Sequence, residues 1–128
     1  MSAMSDFLEL EVLDHVLGTG SYTMPTTVRI GLSTGSFGDD NSGTELSGSG
    51  YARQAITFAA ASSGSAATNA TVTFPTATGS WGAVSHWAIF DAASGGNLLI
   101  HGAFATPKTI TSGDVLRINS GDLTVTAA

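Results

Sequence analysis

From Pro25 onward the chain is broken into short runs rich in Val, Ile, Thr and aromatic residues, each closed by a cluster of Gly, Asp, Asn or Ser. No other feature limits the possible folds as tightly. The runs are "TVRIGLS" (27–33), "YARQAITF" (51–58), "NATVTF" (69–74), "AVSHWAIFD" (83–91) and "NLLIHGAF" (97–104), followed by the shorter "KTI" (108–110), "DVLRIN" (114–119) and "DLTVTA" (122–127). β-branched and aromatic residues suit a pleated, half-buried surface, and many of the runs alternate as such a surface requires. Between them stand "GDDNSG", "SSGS", "SGGN", "TSGD" and "NSGD", all turn chemistry, with "SGGN" and "NSGD" short enough to close hairpins. No helical run alternates with the strands, which argues against a parallel α/β sheet. The expected fold is therefore mainly β, an antiparallel β-sandwich of jelly-roll-like type over 26–128, in a single domain covering 1–128. Two stretches fit no strand. "GSFGDDNSGTELSGSG" (35–50) reads as a long excursion, and "AAASSGSAAT" (59–68) has side chains too small to anchor a core. Each is expected to be a loop that orders only against a neighbour.

Ahead of Pro25 the pattern changes period. In "SDFLELEVLDHVLG" (5–18), Phe7, Leu10, Leu13 and Leu17 recur at helical spacing and share one face, a possible docking helix. Ser5 or Asp6 can cap it, Asp6 with Glu9 forms a variant capping box, and Gly18 is a natural stop. His15 falls near the end of the helix, where a cation suits the dipole. Four of the ten acids (Asp6, Glu9, Glu11 and Asp14) lie on this short segment.

Ten acids against four basic residues give a net charge of −6, which argues against a nucleic-acid partner. Only 11% of residues are charged, against roughly 25% in an ordinary soluble domain. A surface so poor in charge is either a neutral one rich in Ser and Thr or one partly covered in an assembly, the assembly being favoured. There is no cysteine, so disulfide and thiolate chemistry are absent. No apolar run approaches the roughly 20 residues of a membrane-spanning helix, so no membrane partner is expected. The N-terminus has no basic segment of the signal-peptide kind.

Candidate chemistry is sparse. His86 and His101 fall on runs that form a hairpin, where they approach across the sheet, and Asp91 is the nearest carboxylate for a third ligand. Their spacing matches no zinc signature, and packed histidines are favoured over a metal site. Asp39, Asp40 and Glu45 cluster in "DDNSGTE" (39–45), a set of hard oxygen ligands out of register for an EF-hand. That segment reads as a calcium site or as a solvated turn. No G-x-S-x-G elbow or phosphate loop is present, and Asp91, Asp114 and Asp122 border turns, where Asp serves the local backbone. No catalytic residue, cofactor or metal is assigned, and the chain is not read as an enzyme. Trp87 sits among apolar neighbours and reads as core. Trp81, between Ser80 and Gly82, is either an exposed sugar platform or a cover for the end of a sandwich.

Arg53 is the residue that most needs explaining. Along a strand, Tyr51, Arg53, Ala55 and Thr57 share one face, while Ala52, Gln54, Ile56 and Phe58 share the other. Ile56 and Phe58 mark the core side, so Arg53 lies with Tyr51 on the opposite face. A guanidinium there must reach water or find a carboxylate or carbonyl, and Glu45 and Asp91 are the candidate partners. The expected role is a structural clamp.

Three segments in order, "GTELSGSGYARQAITF", "VTFPTATGSWGAVSHWAIFDAASGGNLLIHGAF" and "ITSGDVLRINSGDLTVT", resemble small β-rich structural proteins of tailed bacteriophages, of the tail-fibre-like kind. The resemblance covers roughly residues 6–126 and is carried by Glu45, Gly50, Tyr51, Arg53, Gln54, Trp81, Gly82, His86 and Asp91. It implies a virion structural protein made in the host cytoplasm, with phage capsid or tail proteins as partners and a homo-oligomer, a trimer being favoured. The leading expectation is a capsid decoration, or cement, protein. The alternative is a tail-fibre or tail-associated adhesin-like module that binds a host surface glycan through Trp81 and the 35–50 loop.

Overall fold

The strand-forming runs pair antiparallel throughout the computed structural model, which describes residues 2–127. Among the described residues the order is β1 (Ser2–Met4), α1 (Asp6–Val16), β2 (Val28–Ser33), β3 (Gln54–Ile56), β4 (Ser65–Ala67), β5 (Val72–Thr73), β6 (Gly82–Phe90), β7 (Leu98–Ile110), β8 (Arg117–Ile118) and β9 (Thr124–Thr126). The main sheet has five strands in the order β1-β7-β6-β2-β3, and two-stranded pairs β4-β9 and β5-β8 make up the rest. The expected mainly-β, antiparallel class with one N-terminal helix is what the chain adopts.

Register explains where the core sits. Ile30 lies opposite Ile89 and Leu32 opposite Trp87, so these four side chains leave the main sheet on one side. There they meet Val72 and Phe74 of the β5 region, Leu116 and Ile118 around β8, and Leu123, forming the principal hydrophobic cluster. The small pairs thus act as a second layer over the main sheet. On the other side Ala88, Phe90 and Leu98 pack with Phe37 in a smaller cluster. Phe37 is buried against Phe90, ring edge to face at 5.8 Å, and it anchors the 35–50 excursion to the sheet. That loop is ordered by its own chain rather than by a neighbour.

Several elements depart from the sequence reading. The runs 97–104 and 108–110 are one strand, β7, despite Pro107. Val84 pairs with Lys108 but His86 with Ala103, so residues 104–107 lie opposite Ser85 alone. A proline is tolerated in such an irregularity because no ladder hydrogen bond needs its missing N–H. The 59–68 stretch is not all loop: Ser65–Ala67 forms β4, whose small side chains let it lie against β9. The "NSGD" turn (119–122) forms, with Asp122 N–H donating to Asn119 C=O at 3.0 Å. It closes no hairpin, because β8 pairs with β5 and β9 with β4. β1, which has no sequence signature, pairs with β7 at the sheet edge.

Ser5, not Asp6, caps α1. Its Oγ accepts from Leu8 N–H at 3.2 Å and donates to the Leu98 carbonyl. The capping box of Asp6 and Glu9 is therefore unused, while both acids still favour the positive end of the helix. The helix ends at Leu17, followed by Gly18 at φ +79. His15 Nδ1 accepts from Tyr22 N–H at 3.2 Å, tying the loop that follows back to the helix.

Candidate functional site

The motif residues gather where β3 leaves β2. The β2–β3 ladder runs only from Val28↔Ile56 to Ile30↔Gln54, so two residues on, Leu32 has no strand partner on that side. Side chains and loop backbone finish the ladder instead. Leu32 N–H donates to Tyr51 Oη at 2.9 Å, and Leu46 N–H donates to the Leu32 carbonyl at 2.9 Å. Tyr51 Oη in turn donates to Glu45 Oε2 at 2.5 Å. Burial and then this carboxylate push the Tyr51 hydroxyl far above the usual tyrosine range.

Glu45 is held from its other side by Arg53, with Nε to Oε2 at 2.9 Å and Nη2 to Oε1 at 2.7 Å. Such a fork-to-carboxylate pair is geometrically selective as well as charged. Arg53 Nη1 donates to the carbonyls of Ala92 and Gly95, both at 2.9 Å, in the turn joining β6 and β7. The guanidinium carbon lies over the Phe90 ring, 3.5 Å from its centre. The side chain of Arg53 is 7% exposed and that of Glu45 23%. This is the clamp expected for Arg53, with Glu45 as its carboxylate. Asp91, the other expected partner, is engaged elsewhere: it accepts from Asn97 N–H at 2.7 Å and Asn97 Nδ2 at 3.0 Å, bracing the hairpin whose carbonyls Arg53 reads.

Room for the cluster comes from Gly31, which the motif reading missed. A Cβ there would stand 2.8 Å from Glu45 Oε2, 2.9 Å from Phe90 and 3.1 Å from Tyr51 Oη. The sequence signal was an isolated glycine inside the run "VRIGLS", the mark of close approach to a strand. Gly50, at φ +81, takes a backbone that other residues rarely adopt and lies 3.0 Å, measured from its would-be Cβ, from the Thr76 carbonyl. The turn it belongs to is pinned by Trp81, whose Nε1 donates to the Ser49 carbonyl at 2.9 Å. The Trp81 ring is buried, edge-on to Tyr51 at 5.6 Å. A sugar platform at Trp81 is thereby overturned: the indole spends its face on the core and its N–H on the loop.

The remaining sites scatter. The side chain of Gln54 donates to the nearby carbonyls of Ala52 and Arg53. Gly82 opens β6 at φ +81. His86 and His101 sit diagonally on β6 and β7, since Ala88 pairs with His101, and each has its own partner. His86 Nδ1 is 2.7 Å from Ser85 Oγ, and His101 Nε2 is 2.6 Å from Asp39 Oδ1. Asp91 joins neither. The three acids of 39–45 also diverge: Asp39 to His101, Asp40 to Ser42 N–H at 3.1 Å, and Glu45 to the clamp. Among the described residues no cluster of three His, Cys, Asp or Glu side chains has metal-binding geometry. On α1, Leu8 rather than the expected stripe faces the sheet, while Leu10, Leu13 and Leu17 are exposed and Phe7 is half-buried.

The arrangement is chemically closed. Four of the guanidinium's N–H groups and both oxygens of Glu45 are spent on protein partners, so the cluster holds a loop, a hairpin and a sheet in one geometry. No curated protein matches the chain. The family described as "Podophage GP4 fiber I protein gp80" matches residues 3–126. The chain belongs to that family, a family of tailed-phage fibre-like structural proteins.

Proposed function

We propose that the chain is a structural module of a tailed-phage fibre, present in the virion, made in the host cytoplasm and without catalytic activity. The observation that carries this reading is the family match over 3–126. The inward-turned motif agrees with it, because Arg53 and Glu45 bind each other rather than facing solvent. The match favours a fibre over the capsid-decoration expectation. Contact with other phage proteins, and a homo-oligomer with a trimer favoured, belong to the same proposal. Immunogold labelling of purified particles with an antibody to this chain tests it. Label on the fibres is expected; label spread over the shell would return the reading to decoration, and a chain missing from purified particles would overturn both.

A further inference from the structure

Two surfaces of the molecule are left uncovered, and they are complementary. The first is the outer face of α1. Leu10, Leu13, Val16 and Leu17 are 64%, 55%, 71% and 70% exposed. Exposed aliphatic residues in a contiguous stripe mark an interaction surface. Asp6, Glu9, Glu11 and Asp14 lie on the same eleven-residue helix, so any partner meets an apolar stripe flanked by negative charge.

The second surface lies along β7. A cavity of about 140 Å³ is walled by Val84, Phe104, Leu116 and Leu123 and bordered by Lys108 and Arg117. These are two of the four basic residues of a chain with net charge −6. Both are exposed, and among the described residues neither forms an ion pair. Asp122 shares the border, so its three charged groups (two positive, one negative) sum to +1. A recess of this volume, open to solvent and lined by apolar and polar side chains, has room for a group about the size of benzene, which is enough for a leucine side chain.

We propose that copies of the chain join head to tail, α1 of one seated on the Lys108–Arg117 cavity of the next. The proposal rests on the homo-oligomeric reading above and says how the copies meet. One chain cannot satisfy both surfaces by itself. Helix α1 is tied to β7 at Leu98 and Leu99, whereas Lys108 pairs with Val84, six residues along β6 from Phe90, the partner of Leu98, on the order of 20 Å away at the rise of extended chain. Helix against helix is the wrong pairing, because it would bring eight carboxylates together (four on each α1). Helix against cavity places leucines in an apolar recess and acids beside cations. A contact between two different patches is heterologous, so it propagates into a closed ring or an open filament according to the rotation between copies.

Sedimentation velocity with two variants tests the contact. Leu10→Asp with Leu13→Asp disables the helix face; Lys108→Glu with Arg117→Glu disables the cavity. All four positions are exposed, and circular dichroism checks that each variant is folded. Wild type is expected to grow with concentration and to dissociate as salt rises. Each variant alone is expected to stay monomeric, and their equimolar mixture to form a 1:1 dimer and nothing larger, since one good helix and one good cavity remain. If a double change unfolds the chain, Leu13→Ser and Arg117→Gln provide the same crossing. Association of wild type that survives in either variant alone would sink the head-to-tail contact and leave the homo-oligomer standing. A wild type that is monomeric throughout would sink both, and a monomeric mixture would sink the contact.

Discussion

Arg53 shows how one side chain can replace several backbone bonds. Removing it, as in Arg53→Met, leaves Glu45 partly buried with Tyr51 as its only side-chain donor and frees two hairpin carbonyls. Breaking a buried pair costs about 3–5 kcal/mol. Glu45 retains some solvent, so a loss of about 2–4 kcal/mol is expected in chemical denaturation. Gly31→Ala tests the same cluster from below. Its Cβ would collide with the Glu45 carboxylate and the Phe90 ring, an overpacking that costs about 1–3 kcal/mol. Tyr51 makes a prediction in pH. Its hydroxyl titrates above its unfolded value of 10.0 when the chain is folded, so the folded state holds the proton longer. The stability this contributes is complete below about pH 10 and falls as pH rises beyond it. In Tyr51→Phe that alkaline decline should shrink, against a loss of about 1–3 kcal/mol at neutral pH from the Leu32 amide left without its acceptor. Denaturant midpoints at pH 8 and pH 11 would check both. That Arg53 needs a polar partner was legible in the sequence, because alternation put the guanidinium away from Ile56 and Phe58; Glu45 was one of two candidate carboxylates, and only the fold chose between them. The carbonyls of Ala92 and Gly95 were not legible: backbone acceptors carry no residue signature, and the nearby Asp91 drew attention to the wrong group.

Among the elements, those with strong side-chain signals were legible. β2, β6 and β7 carry long apolar runs, and their positions follow from alternation and turn chemistry. β1 and β4 were not legible, because Ser and Ala at their positions say nothing of strand; pairing with β7 and β9 imposes the conformation. Helix α1 was legible in extent and cap, but its buried side was misjudged, since one residue, Leu8, faces the sheet and the longer stripe faces out. Ser5 ties this helix to the sheet through a cap and a contact with the Leu98 carbonyl. Ser5→Ala should therefore cost about 1–2 kcal/mol, and hydrogen exchange should quicken first in α1 while β6 and β7 stay protected.

For the whole molecule, a charge content of 11% is low for a soluble domain. The β-rich fold, the family and the uncovered helix face all point toward an assembled particle. One further consequence follows from the meeting of β1 and β9. Thr126 N–H donates to Ser2 Oγ at 2.9 Å across 124 positions of sequence, so the two ends of the described chain lie side by side. A short flexible linker between them would make a circular protein with little distortion of the native state. Cyclisation removes freedom from the unfolded chain only, and the circular form should unfold at higher denaturant than the linear one. It could also be reopened at an exposed turn such as 111–114 to give a permuted chain with the same fold.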